Sequence, residues 1–342
     1  MITLKEIHQQ IQASVNPIIF FDDDPDGLAS FLLIKKHFNK GKGVPIKSSP
    51  KLDDLYLRKI EEFNPDLIIV LDKPIITQDF VDQIKVPLIW IDHHPIQNIR
   101  GVKYFNPLFL DEKDIRPTSY WCYKLTEENS WIAMIGIIAD WSLEDLGEFS
   151  KQYPDLILDE KTSEKIIYST PLGRLVRIFS FILKGKTSDI LKLISILSKI
   201  DSPYELLNKE TPRAKYILNY VEKIEKKYNV LLEKALSSKQ RGKLFIYIYP
   251  SKEFSFTAEL SNEIMSKVQK DISIIGRKKE KDVILSIRSK DNSKYILPKI
   301  IEKSLVGIQG YGGGHPHACG ANIALDDYER FIENFKKNLT KL

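Results

Sequence analysis

The sequence predicts an α/β protein: an N-terminal domain on a parallel sheet, a helical connector, and a smaller C-terminal α/β domain. Three observations predict it. Short apolar runs alternate with helix-like segments through the first half, as expected for parallel strands covered by helices on both faces. Four apolar runs, at 17–21, 67–71, 86–91 and 135–139, each lead directly into an aspartate. From residue 161 the apolar residues recur at three- and four-residue spacing, and strand-like runs return after a polar break at 237–242. A chain of 342 residues exceeds what one hydrophobic core usually supports. The expected domains are 1–160, 161–238 and 239–342.

The elements follow in order. Residues 18–21 read as a buried strand and 28–38 as a helix. A short strand is expected at 45–48, a helix at 52–63, a strand at 67–71, a short helix at 77–84 and a strand at 88–91. Thr118 can cap a helix holding Tyr120, Trp121 and Tyr123. The stretch 131–140 is buried, and periodicity alone leaves it as helix or strand. Ile217, Leu218, Val221, Ile224, Tyr228, Leu231, Leu232 and Ala235 line one face of a long amphipathic helix starting near Pro212. Beyond the break, strands are expected at 243–249, 272–275 and 283–288. The first of these is mostly apolar and is read as central. Helices are expected at 257–268, 295–302 and 328–338.

Composition excludes several classes. A hydrophobic fraction of 43% with 28% charged residues describes a soluble globular protein. The net charge of +5 suits a polyanionic substrate without requiring one. Cys122 and Cys319 form neither a metal spacing nor a disulfide framework, so a reduced, cytoplasmic compartment is expected. The N-terminus has no signal-peptide pattern, and the apolar run at 131–139 is too short to span a bilayer, so no membrane role is expected.

The four acid-bearing ends carry the chemistry. Asp22, Asp24 and Asp26 alternate ahead of Gly27; Asp72 ends one apolar run; Asp92, His93 and His94 end another; Asp140 ends the fourth. At the carboxyl ends of neighbouring strands such side chains converge on one crevice. Hard carboxylate oxygens suit Mg²⁺ or Mn²⁺, and added imidazole favours Mn²⁺. A calcium loop is a poor fit, because its twelfth position is Leu33 rather than a bidentate glutamate. A solvated turn with helix caps is the plain reading of the acid run alone; the tandem His93–His94 is harder to explain that way. Phosphoester hydrolysis needs such a set: two divalent ions about 3.5–4 Å apart activate one water and offset phosphate charge. Asp72 is the candidate bridging carboxylate.

These residues resemble the four motifs of the DHH phosphoesterase superfamily: Asp22-x-Asp24-x-Asp26-Gly27, Asp72, Asp92-His93-His94 and Asp140. The opening motif is similar to that of RecJ-like nucleases. Many archaeal and oligoribonuclease-type members carry a histidine near its start, where this chain holds Phe20, Phe21 and Asp22. The run 312–320 (Gly312, Gly313, Gly314, His315, Pro316, His317, Ala318, Cys319, Gly320) resembles the signature of the DHH-associated substrate domain, and 286–289 its arginine-bearing strand. The resemblance implies that Asp24 and Asp72, with Asp22 nearby, hold one metal. Asp26, Asp72, His93 and Asp140 would hold a second. His94 would contact the scissile phosphate or orient a ligand, and Asp92 would fix an imidazole tautomer. Arg288, His315 and the amides of Gly313 and Gly314 would bind a further phosphate or the terminal nucleotide. Read from the residues alone, the glycine run is either a tight turn or an anion nest. Arg288 is likewise either a phosphate ligand or a surface strand residue.

The resemblance implies a RecJ-like exonuclease that releases mononucleotides from single-stranded DNA or RNA with two Mn²⁺ or Mg²⁺ ions. Aromatic residues are plentiful enough to stack unpaired bases. Larger RecJ nucleases carry an added OB-fold, and none is evident in this sequence. That keeps a second reading open: hydrolysis of very short oligonucleotides or of linear or cyclic dinucleotides. A third is non-enzymatic, a scaffold in a replication assembly; an active enzyme could also dock replication or repair proteins. The first-motif form and the glycine-rich domain disfavour pyrophosphatase or polyphosphatase chemistry.

Overall fold

Five parallel strands form the first sheet in a computed structural model of the chain. Their order is Lys42–Ile46, Pro17–Asp22, Leu67–Leu71, Leu88–Ile91 and Lys103–Phe105. The structure describes residues 1–47, 51–240, 242–250, 253–290 and 294–340. Register sets the site. Leu71 pairs with Phe21 on one side and with Ile91 on the other. Asp22, Asp72 and Asp92 each come one residue later. Three aspartates therefore stand abreast at the carboxyl ends of adjacent strands, roughly 4.8 Å apart per strand.

Both faces of this sheet are buried, which is why its strands read as unbroken apolar runs. Ile18, Phe20, Ile68, Val70 and Trp90 pack with Phe80 and Val81 of the helix Gln78–Gln83. On the opposite face Phe21 stacks on Phe31 of the helix Pro25–Phe38, with ring centroids 4.8 Å apart. That helix starts where it does because Pro25 sits in its first turn and the Asp24 carboxylate accepts from Gly27 N.

Several expectations are corrected. The stretch 131–140 is the helix Ser130–Ala139, and Asp140 is its C-cap. One of the four acid-bearing ends is thus a helix terminus. The helix is apolar all round because it is buried, which hides its period. The helix expected at 52–63 breaks into a short strand, a 3₁₀ turn at Asp54–Tyr56 and the helix Leu57–Phe63. Asp53 causes the break by accepting from Leu55 N. The strand expected at 45–48 is Lys42–Ile46, and Ser48 lies outside the described residues. Thr118 is the first residue of the helix Thr118–Thr126 rather than its cap. The strand Lys103–Phe105 has no counterpart in the sequence reading; three residues carry too little pattern.

The chain divides into two compact units, Met1–Val221 and Glu222–Leu342. The division falls inside the helix Pro212–Leu236, upstream of the polar segment 237–242, in which Arg241 lies outside the described residues. Helices Ser163–Ser169, Pro171–Ile182 and Thr187–Leu197 belong to the first unit.

The second unit holds a mixed five-stranded sheet in the order Gly310–His315, Ala318–Ala324, Asp282–Ser289, Ile272–Lys278 and Leu244–Pro250. Helices Leu297–Ser304 and Tyr328–Thr340 supply Leu297, Ile300, Phe331 and Phe335 to its core. The strand Leu244–Pro250 is an edge, not central as expected. Its apolar residues are covered on both faces: Ile246 and Ile248 pack on the core, while Phe245 and Tyr249 are buried opposite. Alternation along a strand reports which faces are covered and says nothing of its edges.

Candidate metal centre

The site sits at the carboxyl ends of the first sheet and is completed by three helix termini. Asp26, in the first turn of Pro25–Phe38, is only 3% exposed. It is gripped by the N-terminus of the helix Thr118–Thr126: Thr118 N donates to Oδ2 and Ser119 N to Oδ1, each at 2.9 Å. The unsatisfied amides and dipole of a helix start favour a carboxylate there. Thr118 Oγ1 donates to Asp72 Oδ1 at 3.1 Å. Asp72 sits at φ +58°, in the left-handed region. Aspartate tolerates that region better than most residues.

The two histidines are oriented differently. His93 Nδ1 lies 3.2 Å from the Ile115 carbonyl and His94 Nδ1 lies 2.8 Å from Asp92 Oδ1. Both partners are acceptors, so each Nδ1 is the donor, and in the neutral ring Nε2 is the nitrogen that carries the lone pair. Asp92, fully buried, also accepts from His94 N at 3.1 Å and from the Tyr104 hydroxyl at 3.3 Å. Asn106 Nδ2 donates to the His94 carbonyl at 2.9 Å. His93 Nε2 lies 3.4 Å from Asp72 Oδ1 and 3.7 Å from Asp140 Oδ2. Among the described residues two donor groups have ligand atoms within 4.8 Å of one another: Asp26, His93 and Asp140, and Asp72, His93 and His94.

Asp22 and Asp24 are placed otherwise. Asp24 Oδ1 accepts from Gly27 N at 2.9 Å. Asp22 Oδ1 accepts from Lys73 Nζ at 2.6 Å and from Asp23 N at 2.9 Å. Sequence reasoning missed Lys73. Its one signal is a lysine directly after an acid at the end of an all-apolar run. It also missed Thr118 and Ser119 as partners of the acids, because long sequence separations hide such contacts. Gly136 is a further omission. A Cβ there would stand 2.7 Å from Ser119 Cβ and 2.8 Å from Asp26 Oδ1.

Crowded acids shift one another's equilibria. Burial, then Asp22 and Asp26, pushes the Asp24 carboxyl up to about 7. Burial, then Asp26, pushes Asp140 up to about 6 against the opposing pull of His93. Both acids keep one side open to solvent. Asp72 is raised well above the usual carboxylate range by burial and by Asp26 and Asp24. Burial works against a charged His93, but Asp140 and Asp26 outweigh it and raise the imidazole. Such a set is unfavourable alone and is relieved by a cation. Oxygen-rich donors with imidazole fit Mn²⁺ or Mg²⁺.

In the second unit Arg288 lies on the strand Asp282–Ser289. Its Nε donates to Asn262 Oδ1 at 2.8 Å, and its Nη1 to the carbonyls of Ile287 and Cys319 at 3.0 and 3.2 Å. Gly313, Gly314 and His315 lie on the edge strand Gly310–His315, with Gly313 opposite Gly320 and Gly314 opposite Cys319. This corrects the anion nest: successive amides of an extended strand point in opposite directions. Gly314, at φ +141°, admits no side chain, because a Cβ would meet the Ala318 carbonyl oxygen at 2.5 Å.

Residues 244–341 match the DHHA1 domain family. The chain is similar over 99% of its length to RecJ from Thermus thermophilus in complex with Mn²⁺, at a TM-score of 0.69 and 13% identity, and spans 55% of that chain. The chain therefore has the RecJ-like DHH fold. It is also similar, over 99% of its length, to an exonuclease RecJ bound to manganese, at a TM-score of 0.67 and 12% identity, spanning 94% of that chain. A pGpG-specific phosphodiesterase, PggH from Vibrio cholerae, matches 95% of this chain and 99% of its own at a TM-score of 0.53 and 14% identity. No curated protein matches by sequence. Within this DHH fold the parallel-sheet unit carries the acids and histidines, and the DHHA1 domain carries Arg288 and the glycine strand. Among the described residues no helix is long and apolar enough to cross a membrane.

Proposed function

We propose that this chain is a metal-dependent phosphodiesterase, a RecJ-like exonuclease that hydrolyses single-stranded DNA or RNA to mononucleotides with two Mn²⁺ or Mg²⁺ ions. One observation carries the reading: Asp26, Asp72, Asp140, His93 and His94 form two donor groups with ligand atoms within 4.8 Å of one another, at one end of one parallel sheet and its capping helices. Asp26, Asp72, His93 and Asp140 hold one ion; Asp72, Asp24 and Asp22 serve the other. Bound ions supply an activated water at neutral pH and offset the charge that builds on the phosphate.

The protein's own groups do the rest. The amides at the helix start of Thr118 hold the Asp26 carboxylate in place. Ile115 holds the His93 ring so that Nε2 faces Asp72 and Asp140. Asp92 holds the His94 ring through Nδ1, and Nε2, when it carries a second proton, donates to a phosphate oxygen. Arg288, His315 and the outward-facing amide of the edge strand Gly310–His315 serve a second phosphate or the terminal nucleotide. A cytoplasmic setting fits the two cysteines, both free and buried.

A second reading has a specific observation behind it. The chain is similar along 95% of its length to the pGpG-specific phosphodiesterase PggH, which supports hydrolysis confined to dinucleotides or very short oligonucleotides. End-labelled DNA and RNA strands, from dimers to long oligomers, decide between the two when digested with Mn²⁺ and with EDTA. Metal-dependent shortening of long strands from one end supports the exonuclease. Turnover of dimers and trimers alone replaces it with the second reading, and no turnover at all removes both.

A further inference from the structure

Lys73 is a cation inside a centre built to attract cations. It is 1% exposed, and its Nζ lies 2.6 Å from Asp22 Oδ1. Its backbone is fixed: Asp72 before it takes the left-handed conformation, and Trp90 Nε1 donates to its carbonyl at 3.1 Å. Trp90 is itself stacked on Tyr104, with centroids 4.0 Å apart. An ammonium taken out of water needs a carboxylate partner. Asp22 Oδ1 is that partner.

The remaining donors are shared unequally. Both three-residue donor groups contain His93. Its Nδ1 is committed to the Ile115 carbonyl, so only Nε2 is available, and one lone pair serves one ion. The two groups are therefore alternatives for a single ion. A second ion is left with Asp22, whose Oδ1 faces an ammonium, with Asp24, whose Oδ1 accepts from Gly27 N, and with a share of Asp72.

We propose that Lys73 makes the metal centre unequal. Its ammonium supplies, at Asp22, part of the positive charge that a second divalent ion would otherwise bring. One ion binds tightly with His93, and the second stays weakly held until a substrate phosphate adds oxygen ligands. The inference rests on the metal-centre reading above and adds the order of filling.

The test is a titration of the metal-free full chain with MnCl₂, following free Mn²⁺ by electron paramagnetic resonance, without substrate. The wild type should show one tight site and a second at least about tenfold weaker, since a unit charge a few ångströms away repels a divalent ion strongly. Lys73→Met should tighten the second site at least about tenfold, bringing the two together. Lys73→Arg should keep the wild-type curve. Two equal sites in the wild type, or a Lys73→Met curve that stays unequal, overturn the proposal. If Lys73→Met does not fold, Lys73→Gln, which keeps a polar end without the charge, carries the same test: its second site should tighten at least about tenfold, and an unchanged second site overturns the proposal. A wild type that binds no Mn²⁺ overturns the metal-centre reading as well, whereas two equal sites overturn only the order of filling.

Discussion

Gly136→Ala should damage the metal centre from behind. Gly136 lies in the helix Ser130–Ala139, where alanine is locally better than glycine by about 1 kcal/mol. Space decides against it. The added Cβ would sit 2.7 Å from Ser119 Cβ and 2.8 Å from Asp26 Oδ1, with Ser119 Oγ closer still. Ordinary carbon contacts need about 3.5–4.0 Å, so something must move by about 1 Å. Ser119 is fully buried and its Cβ cannot rotate away, so the helix Thr118–Thr126 must shift. Overpacking of this kind costs about 1–3 kcal/mol. The upper part of that range, less the helix gain, leaves a loss of about 1–2 kcal/mol. For a unit of this size the melting temperature should fall by roughly 2–8 °C. The effect on function should be larger. Ser119 N is one of the two amides that hold Asp26, and a misplacement near 1 Å can cost about a hundredfold in rate. Thermal melts with EDTA, Mn²⁺ titration and kcat/KM on a dinucleotide and on a longer strand read all three effects. A variant as stable as the wild type, with unchanged Mn²⁺ affinity and turnover, would refute the close approach of these helices as the support of Asp26.

Three further outcomes are expected. Asp72→Asn keeps a side chain suited to φ +58° and removes one crowded charge, so the folded protein should survive while hydrolysis falls at least about a thousandfold; wild-type turnover would remove Asp72 from the centre. The metal-free protein should lose stability as pH rises from about 4 to about 7. Asp24 and Asp140, raised to about 7 and about 6, hold protons in the folded state that the unfolded chain has already released, and raised His93 acts in the same sense. Saturating Mn²⁺ should reverse that slope, because metal competes with protons; melts at pH 5 and 8 with EDTA or Mn²⁺ test both signs, and equal slopes would show that these acids do not bind the metal. Arg288→Ala should raise KM more than it lowers kcat if it contributes uniform binding, and an unchanged KM would leave Arg288 as a strut for Asn262 and Cys319.

The sequence by itself determined the layered α/β class, the helical stretch beyond 161 and the acids and histidines worth inspecting. Each was local: strands buried on both faces read as apolar runs, and an acid closing such a run marks the strand's carboxyl end. Asp22, Asp72 and Asp92 were legible for this reason. Asp140 was seen, yet its support was not, because a helix buried all round has no visible period. Only the tertiary structure decided that Asp26 docks on the start of Thr118–Thr126, that Gly136 makes room for it, and that Lys73 turns back onto Asp22. It also decided that the glycine run is an edge strand and that Leu244–Pro250 is the opposite edge. Those facts depend on which surfaces meet across long sequence separations. Period and composition describe how one segment is solvated, and they do not say which partner, at what distance, completes it.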